Sequence, residues 1–351
     1  MCTPTKLAAC FTALVLWGCS DQDASPQNDA YAFQPPATFP AAAYTLENNP
    51  VTRDGFELGR ALFYDPILSA DSSIACANCH QQARAFSDPV HRFSKGVGEA
   101  SGFRNAPAIQ NTAFQQDFFW DGGVKHLDFV PINAITSELE MKETLAGVVT
   151  KLQRSTFYPA RFSQAFGAGE VTSQHMLQAL SQFMVMMISA DSRYDRYLQG
   201  KESLTVDEQG GLGLMQQKCS GCHATDLFTD GSFRNNGLDE TFDSDAGRER
   251  ITELDKDRGK FKVPSLRNAE LTAPYMHDGR FNTLAQVLNH YSAGVKPSAT
   301  LDPLLTGASP HPGIALTDTD QQQIIAFLKT LTDRTFTKDQ RFSNPFKVIN
   351  P

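Results

Sequence analysis

Cys76-Ala77-Asn78-Cys79-His80 and Cys219-Ser220-Gly221-Cys222-His223 are two copies of Cys-x-x-Cys-His in one chain. Each has the spacing of a covalent haem attachment site: two cysteines add to the haem vinyl groups as thioethers, and the adjoining histidine is delivered to the iron. One copy alone could be a structural dithiol or half of a zinc site. Two copies, each with histidine in the same place, point to a dihaem protein.

The rest of the chain fits that reading. At 351 residues it has room for two domains of ordinary size, and 41% hydrophobic with 20% charged residues supports folded cores. The net charge of −8 speaks against nucleic acid and is compatible with a basic redox partner. Four of the seven cysteines sit in the haem motifs, and Cys2, Cys10 and Cys19 lie in the N-terminal segment. After Lys6, the apolar run Leu7 to Gly18 is too short for a mature membrane span. It ends in Leu16-Trp17-Gly18-Cys19, so 1–18 reads as a lipoprotein signal peptide, with Cys19 as the acylated first residue. Trp17 departs from the small residue usual there, and an ordinary secretory signal is the alternative. Either way the chain is expected to be exported to the periplasm, and on the lipoprotein reading to be anchored by lipid to the outer membrane.

Residues 19–44 read as a flexible tether, with order expected from about Tyr44. Helices are expected over Glu57–Phe63 and Asp207–Gln217, each leading into a haem motif, and over Ser173–Ile188, where the methionines read as core. Another should follow Thr317 through Ile324, Phe327 and Leu328. Strand signals are few, so the chain is expected to be mainly α.

An internal repeat runs through it. Laying Ala106-Pro107-Ala108-Ile109 on Val263-Pro264-Ser265-Leu266 brings Asn111 onto Asn268, Phe118 onto Tyr275, Asp121 onto Asp278, Gly122 onto Gly279 and Leu127 onto Leu284 at one offset. The repeat breaks where Trp120 falls on His277 and Ala134 on Tyr291. The second unit thus has a candidate iron ligand where the first has a methyl group, as expected if one haem is closed and the other open.

With these residues in view the chain resembles the bacterial dihaem cytochrome c peroxidases, a family that includes the MauG-type enzymes. The resemblance covers about 50–345. It rests on both haem motifs, Arg104-Asn105-Ala106-Pro107, Phe119-Trp120-Asp121-Gly122, Glu140-Met141, Val263-Pro264-Ser265-Leu266-Arg267-Asn268 and Pro274-Tyr275-Met276-His277-Asp278-Gly279. It implies two cytochrome c-like haem domains: a peroxidatic one over 45–205 with the tail 332–351 packed back on it, and an electron-transfer one over 206–331. It makes His80 and His223 the proximal ligands, Trp120 the residue between the haems and Glu140 the distal acid–base group. It assigns a calcium ion at the domain junction to Asn105 and to the backbone carbonyls of Thr272 and Pro274. A homodimer is common in the family.

Two departures from the family bear on function. The histidine that closes the active haem of classical members has no counterpart in Lys95-Gly96-Val97-Gly98; His91 is nearby but out of register, and Val130 stands where a distal glutamine is expected. The methionine expected 14 residues after His277 is Tyr291, as in MauG-type enzymes. Met276 and His290 are rival ligands, and Tyr291 as a packing residue is a further alternative. A thioether raises the reduction potential, whereas a phenolate stabilises oxidised iron. The expected activity is hydrogen peroxide reduction with electrons from a small cytochrome c or copper protein. The first alternative is MauG-type, peroxide-dependent oxidation of a protein or small molecule through a high-valent dihaem state. The second is a dihaem electron carrier that is not an enzyme.

Overall fold

The computed structural model describes residue 1 and residues 30–307 and 311–347. Cys2, Cys10 and Cys19, and with them the expected leader and lipid anchor, lie outside the described residues. Among the described residues no helix is long and apolar enough to cross a membrane.

The architecture is helical. In order come α1 (Arg53–Tyr64), α2 (Cys76–Cys79), α3 (Val130–Thr136), α4 (Leu145–Arg154), α5 (Tyr158–Phe166), α6 (Ser173–Val185), α7 (Arg193–Leu198), α8 (Val206–Lys218), α9 (Glu249–Thr252), α10 (Leu284–Asn289) and α11 (Asp318–Thr330). The strands are two residues each, β1 (Phe233–Arg234) and β2 (Phe261–Lys262), paired antiparallel with Phe233 opposite Lys262.

The helices start where side chains cap them. Thr52 accepts from the Gly55 N–H and Thr172 from the His175 N–H. Thr205 with Glu208, and Thr317 with Asp320, form capping boxes that satisfy free N–H groups at each start. Met176 and Met184 of α6 are buried, so the methionine-rich helix packs as core.

The duplication is visible as the same packing made twice. Helix α1 leads into the first haem motif and crosses α6 at Gly59, where a Cβ would lie 1.9 Å from the Ala179 carbonyl and 3.0 Å from the Phe183 Cβ. Helix α8 leads into the second and crosses α11 at Gly211, where a Cβ would lie 2.0 Å from the Gln323 carbonyl and 2.7 Å from the Phe327 Cβ. Backbone-to-backbone approach at each crossing requires glycine.

The asparagines of the repeat clamp the ends of these helix pairs. Asn111 and Asn268 both sit in the left-handed region, at φ 54° and 58°. Their N–H groups donate to Met187 O (2.8 Å) and Leu331 O (3.1 Å). Their side-chain oxygens accept from the N–H of Ser189 (2.9 Å) and of Asp333 (2.7 Å). The bridges Phe118–Val124 and Tyr275–Phe281, with left-handed Phe119 and Met276 between them, repeat as well.

Each unit has its own apolar core. One gathers Phe56, Leu62, Phe63, Phe86 and Phe183, joined by Phe336 and Phe342 from the C-terminal tail. The other gathers Met215, Phe228, Leu288, Ile324, Phe327 and Leu331, joined by Tyr194 of α7. Packing begins earlier than the expected Tyr44: Phe39 is buried edge-on against Phe114, and Tyr31 meets Phe56. Aromatic side chains spaced through 31–39 supply enough apolar surface to hold that stretch down, which its Ala- and Pro-rich composition conceals.

Buried polar contacts tie the units together. Arg267, with no exposed surface, grips Asp195 through both oxygens at 2.8 and 2.9 Å and places its guanidinium over the Phe39 ring. Gln110 donates to the Arg267 carbonyl, and Arg104 bonds both Asp121 and Asp245. Asn105 N–H donates to the His277 carbonyl and Lys262 N–H to the Trp120 carbonyl, both at 2.7 Å. These last two bonds are reciprocal: the repeat places Asn105 on Lys262 and Trp120 on His277.

If the two crossings carry the fold, Gly59→Ala and Gly211→Ala each lower stability by about 1–3 kcal/mol. Gly213→Ala, on the same helix α8 but with nothing within 4 Å of its added methyl, raises it by about 0.4–1 kcal/mol. Denaturant midpoints of the three variants check this, and equal effects at all three would contradict it.

Candidate haem sites and their junction

Both motif histidines are oriented by a backbone carbonyl. His80 Nδ1 lies 2.9 Å from Phe86 O, and His223 Nδ1 lies 3.0 Å from Phe228 O. A proton on Nδ1 leaves the Nε2 lone pair free for a metal, with the ring fixed in direction. Burial lowers the pKa of both imidazoles, which keeps them neutral and able to ligate. The four motif cysteines are free thiols. Burial, then the neighbouring thiol, pushes Cys76 up to about 12. Burial, then Asp88, pushes Cys79 up to about 11. Cys219 is likewise pushed up to about 11 by burial and by Cys222. Two neutral thiols beside an aimed imidazole, twice over, have the chemistry that c-type haem requires.

In the second unit the motif opens on a cavity of about 220 Å³. Cys219, Cys222 and His223 share its lining with Met215, Leu288, Ile324 and Leu328. Such an apolar wall suits a macrocycle. Tyr291 and Met276 also reach it, with Tyr291 Oη and Met276 Sδ each 3.5 Å from Asn236 Nδ2. Tyr291 stands in a π-helical turn, His290–Gly294, that continues α10. Burial raises its phenol pKa, opposed by the Asn236 hydrogen bond. His290 is engaged elsewhere: its Nε2 lies 3.0 Å from the Asn236 carbonyl. His277 stacks flat on Phe261 at 3.6 Å, and burial lowers its pKa to about 4, so it is neutral.

The first unit brings Glu140 to its motif cysteines, where its charge acts on both thiols. Burial raises the Glu140 carboxyl above the ordinary range. The 94–97 segment closes in from the same side. Ser94 and the Lys95 N–H bond the Cys79 sulfur, and the Val97 N–H donates to the Glu140 carbonyl at 2.8 Å. A Cβ on Gly96 would lie 2.3 Å from Leu139 O and 2.5 Å from Glu140 O. No histidine stands in this segment. His91 is turned to Asp88, with Nδ1 3.1 Å from the carboxylate, and its side chain is 42% exposed. Val130 is the first residue of α3 and is partly buried against the core.

Trp120 stands between the units. Its Nε1 donates to the Asn105 carbonyl at 2.8 Å, and it lines both the second cavity and a junction cavity of about 420 Å³. Asn105, Thr272 and Pro274, the residues that the resemblance gives to calcium, all line the junction cavity. The Asn105 amide nitrogen is spent on the Arg92 carbonyl at 3.2 Å, which leaves the amide oxygen out of that bond. Among the described residues no group of three His, Cys, Asp or Glu could hold a metal. The three junction residues instead offer neutral oxygens, the donor type of a hard cation.

Sequence reasoning missed Asn236, the donor shared by the two candidate ligands, and Lys262, which lines both cavities. Lys262 carried a signal: it directly precedes the aligned Val263-Pro264 and falls on Asn105 in the repeat. Burial lowers its pKa to about 8, opposed by Asp117 and Asp121. Asn236 carried none.

Residues 53–203 match the profile of the di-haem cytochrome c peroxidase family. The methylamine utilization protein MauG of Methylorubrum extorquens is 33% identical over 315 residues, covering 88% of this chain and 86% of that one. Cytochrome c551 peroxidase of Nitrosomonas europaea is 34% identical, covering 71% of this chain and 75% of its own. The crystal structure of a MauG-like protein associated with microbial copper homeostasis superposes with a TM-score of 0.82 at 32% identity, covering 90% of this chain and 99% of that one. The chain belongs to the dihaem cytochrome c peroxidase and MauG family and is an enzyme of its peroxide-dependent oxidoreductase class.

Proposed function

We propose that this protein is a MauG-type enzyme, which uses hydrogen peroxide to oxidise a partner through long-range electron transfer. The observation that carries the reading is Tyr291, whose phenol lines the same apolar cavity as His223. Cys76 and Cys79, and Cys219 and Cys222, are the attachment points of two covalent haems, with His80 and His223 as proximal ligands and Tyr291 as the second ligand of the second iron. When bound, the haems supply iron that exchanges electrons with peroxide. The chain's own residues do the rest.

Glu140 takes the proton from one peroxide oxygen and returns it to the other, and its burial moves its pKa toward the working pH. The 94–97 segment beside Glu140 holds no histidine, so it offers no imidazole to compete with peroxide there. Trp120, held by Asn105, relays electrons between the units. Calcium at Asn105, Thr272 and Pro274 steadies the junction. Export, with a lipid anchor at Cys19, supplies the compartment in which haem attachment takes place. The protein works as a monomer or a homodimer.

The runner-up is the cytochrome c peroxidase reaction with a small redox protein as electron donor. It is favoured by the Nitrosomonas relative and by Met276, whose sulfur is as close to Asn236 as the phenol is. One equivalent of peroxide added without a donor separates the two. The MauG-type reading expects the oxidised protein to persist for minutes, and then to decay faster in the presence of an oxidisable protein. Immediate decay, with rapid turnover only when reduced cytochrome c or copper protein is present, would establish the peroxidase reading instead.

Glu140→Gln is expected to lower kcat/KM for peroxide by about 10²–10⁴-fold while haem content stays at two per chain. The base works only when ionised. Wild-type activity should therefore fall as pH drops through the raised pKa of Glu140, and the variant should lack that acid limb. A loss of less than tenfold would remove Glu140 from the mechanism.

A further inference from the structure

The junction cavity is lined by two sets of residues related by the repeat. One set is Asn105, Thr272 and Pro274; its equivalents are Lys262, Gln115 and Asp117, and all six line the cavity. The second set is already filled. Lys262 Nζ donates to the Asp117 carbonyl at 2.7 Å and to Gln115 Oε1 at 3.0 Å. The Asp117 carbonyl thus does for the ammonium what the Pro274 carbonyl is proposed to do for calcium.

This ammonium is unusual in its company. Both of its acceptors are neutral. The Asp117 carboxylate is paired with Lys125 and lies 3.8 Å from Arg248, and the Asp121 carboxylate is held by Arg104. The wall shared by the two cavities includes Trp120, Tyr275 and Met276, and Lys262 is its one charged residue among those described. The Lys262 backbone also bonds the Trp120 carbonyl. A positive charge fixed there opposes removal of an electron from whatever lies beside it, and low dielectric surroundings extend its reach.

We propose that Lys262 is the built-in counterpart of the junction cation: its ammonium occupies the second oxygen cradle and holds Trp120 and the second haem at a raised reduction potential. The inference rests on the two-haem reading above. In the relay, one electron leaves the indole for an oxidised iron, and one electron from the partner restores it. Lys262 touches neither iron nor peroxide; it is a residue that sets potentials.

The test is potentiometric titration of the holoprotein. Lys262→Met should lower the midpoint of the haem in the second cavity, favouring its oxidised form about tenfold, or ~59 mV for one electron. Gln115→Glu keeps the lysine but sets a carboxylate against it, and should lower the midpoint in the same direction. Lys262→Arg should restore the wild-type value. Gln115→Glu decides the matter if Lys262→Met fails to fold. Unmoved potentials in proteins that carry two haems would overturn the proposal and leave the haem reading standing. A shift that Lys262→Arg shares also overturns it, because shape and not charge would then be the cause. Wild-type protein carrying no covalent haem would overturn both.

Discussion

The two backbone bonds that cross the junction, Asn105 N–H to His277 O and Lys262 N–H to Trp120 O, fix the distance between the two halves of this molecule. They are 2.7 Å each, and they are the same bond made in opposite directions by duplicated segments. Trp120 takes part in both directions: its carbonyl receives one of the pair, and its indole N–H bonds the residue that donates the other. A side chain anchored in this way can stand between two cavities without swinging into either. Arg267, seated over Phe39 and bonded by Gln110, and the Arg104 knot then hold the units against rotation. The guanidinium of Arg267 has no solvent to return to, so loss of Asp195 would strand a buried charge at a cost of about 3–5 kcal/mol.

Duplication supplies the frame, and divergence supplies the chemistry. Each unit repeats a glycine-mediated helix crossing, an asparagine clamp in the left-handed region and a carbonyl that aims the motif histidine. At three equivalent positions the units part company. A tryptophan faces a histidine, an alanine faces Tyr291, and an asparagine faces Lys262. At these positions the second unit has a neutral histidine stacked on Phe261, a phenol in the cavity of its motif and an ammonium on the Asp117 carbonyl. On the proposed reading, asymmetry of this kind separates the place where peroxide is handled from the place where electrons leave.

Much of this was legible in the sequence because the signals were local. The Cys-x-x-Cys-His spacing names a cofactor by chemistry alone, and the helix starts expected at Asp207 and after Thr317 fall within a residue of those observed, Val206 and Asp318. The helix crossings were not legible: Gly59 and Gly211 are two among many glycines, and only the partner backbone shows why a methyl cannot fit. Asn236 was invisible for the same reason, since its value lies in what it meets 40 and 55 residues further on. The stretch from Tyr31 to Phe39 was misjudged because its small residues outnumber the few aromatics that anchor it. Lys262 stood in plain view beside an aligned motif, but a lone lysine reads as surface until its acceptors are seen to be neutral oxygens at the centre of the junction.

The account stands on two irons in unlike states, the first open and the second closed by Tyr291. Electron paramagnetic resonance of the fully oxidised protein, read beside its optical spectrum, tests that directly. The account predicts a high-spin ferric signal together with a low-spin one, and no methionine-to-iron charge-transfer band. Two low-spin signals, one accompanied by that band, would contradict it: the first iron would then be closed, and Met276 rather than Tyr291 would hold the second.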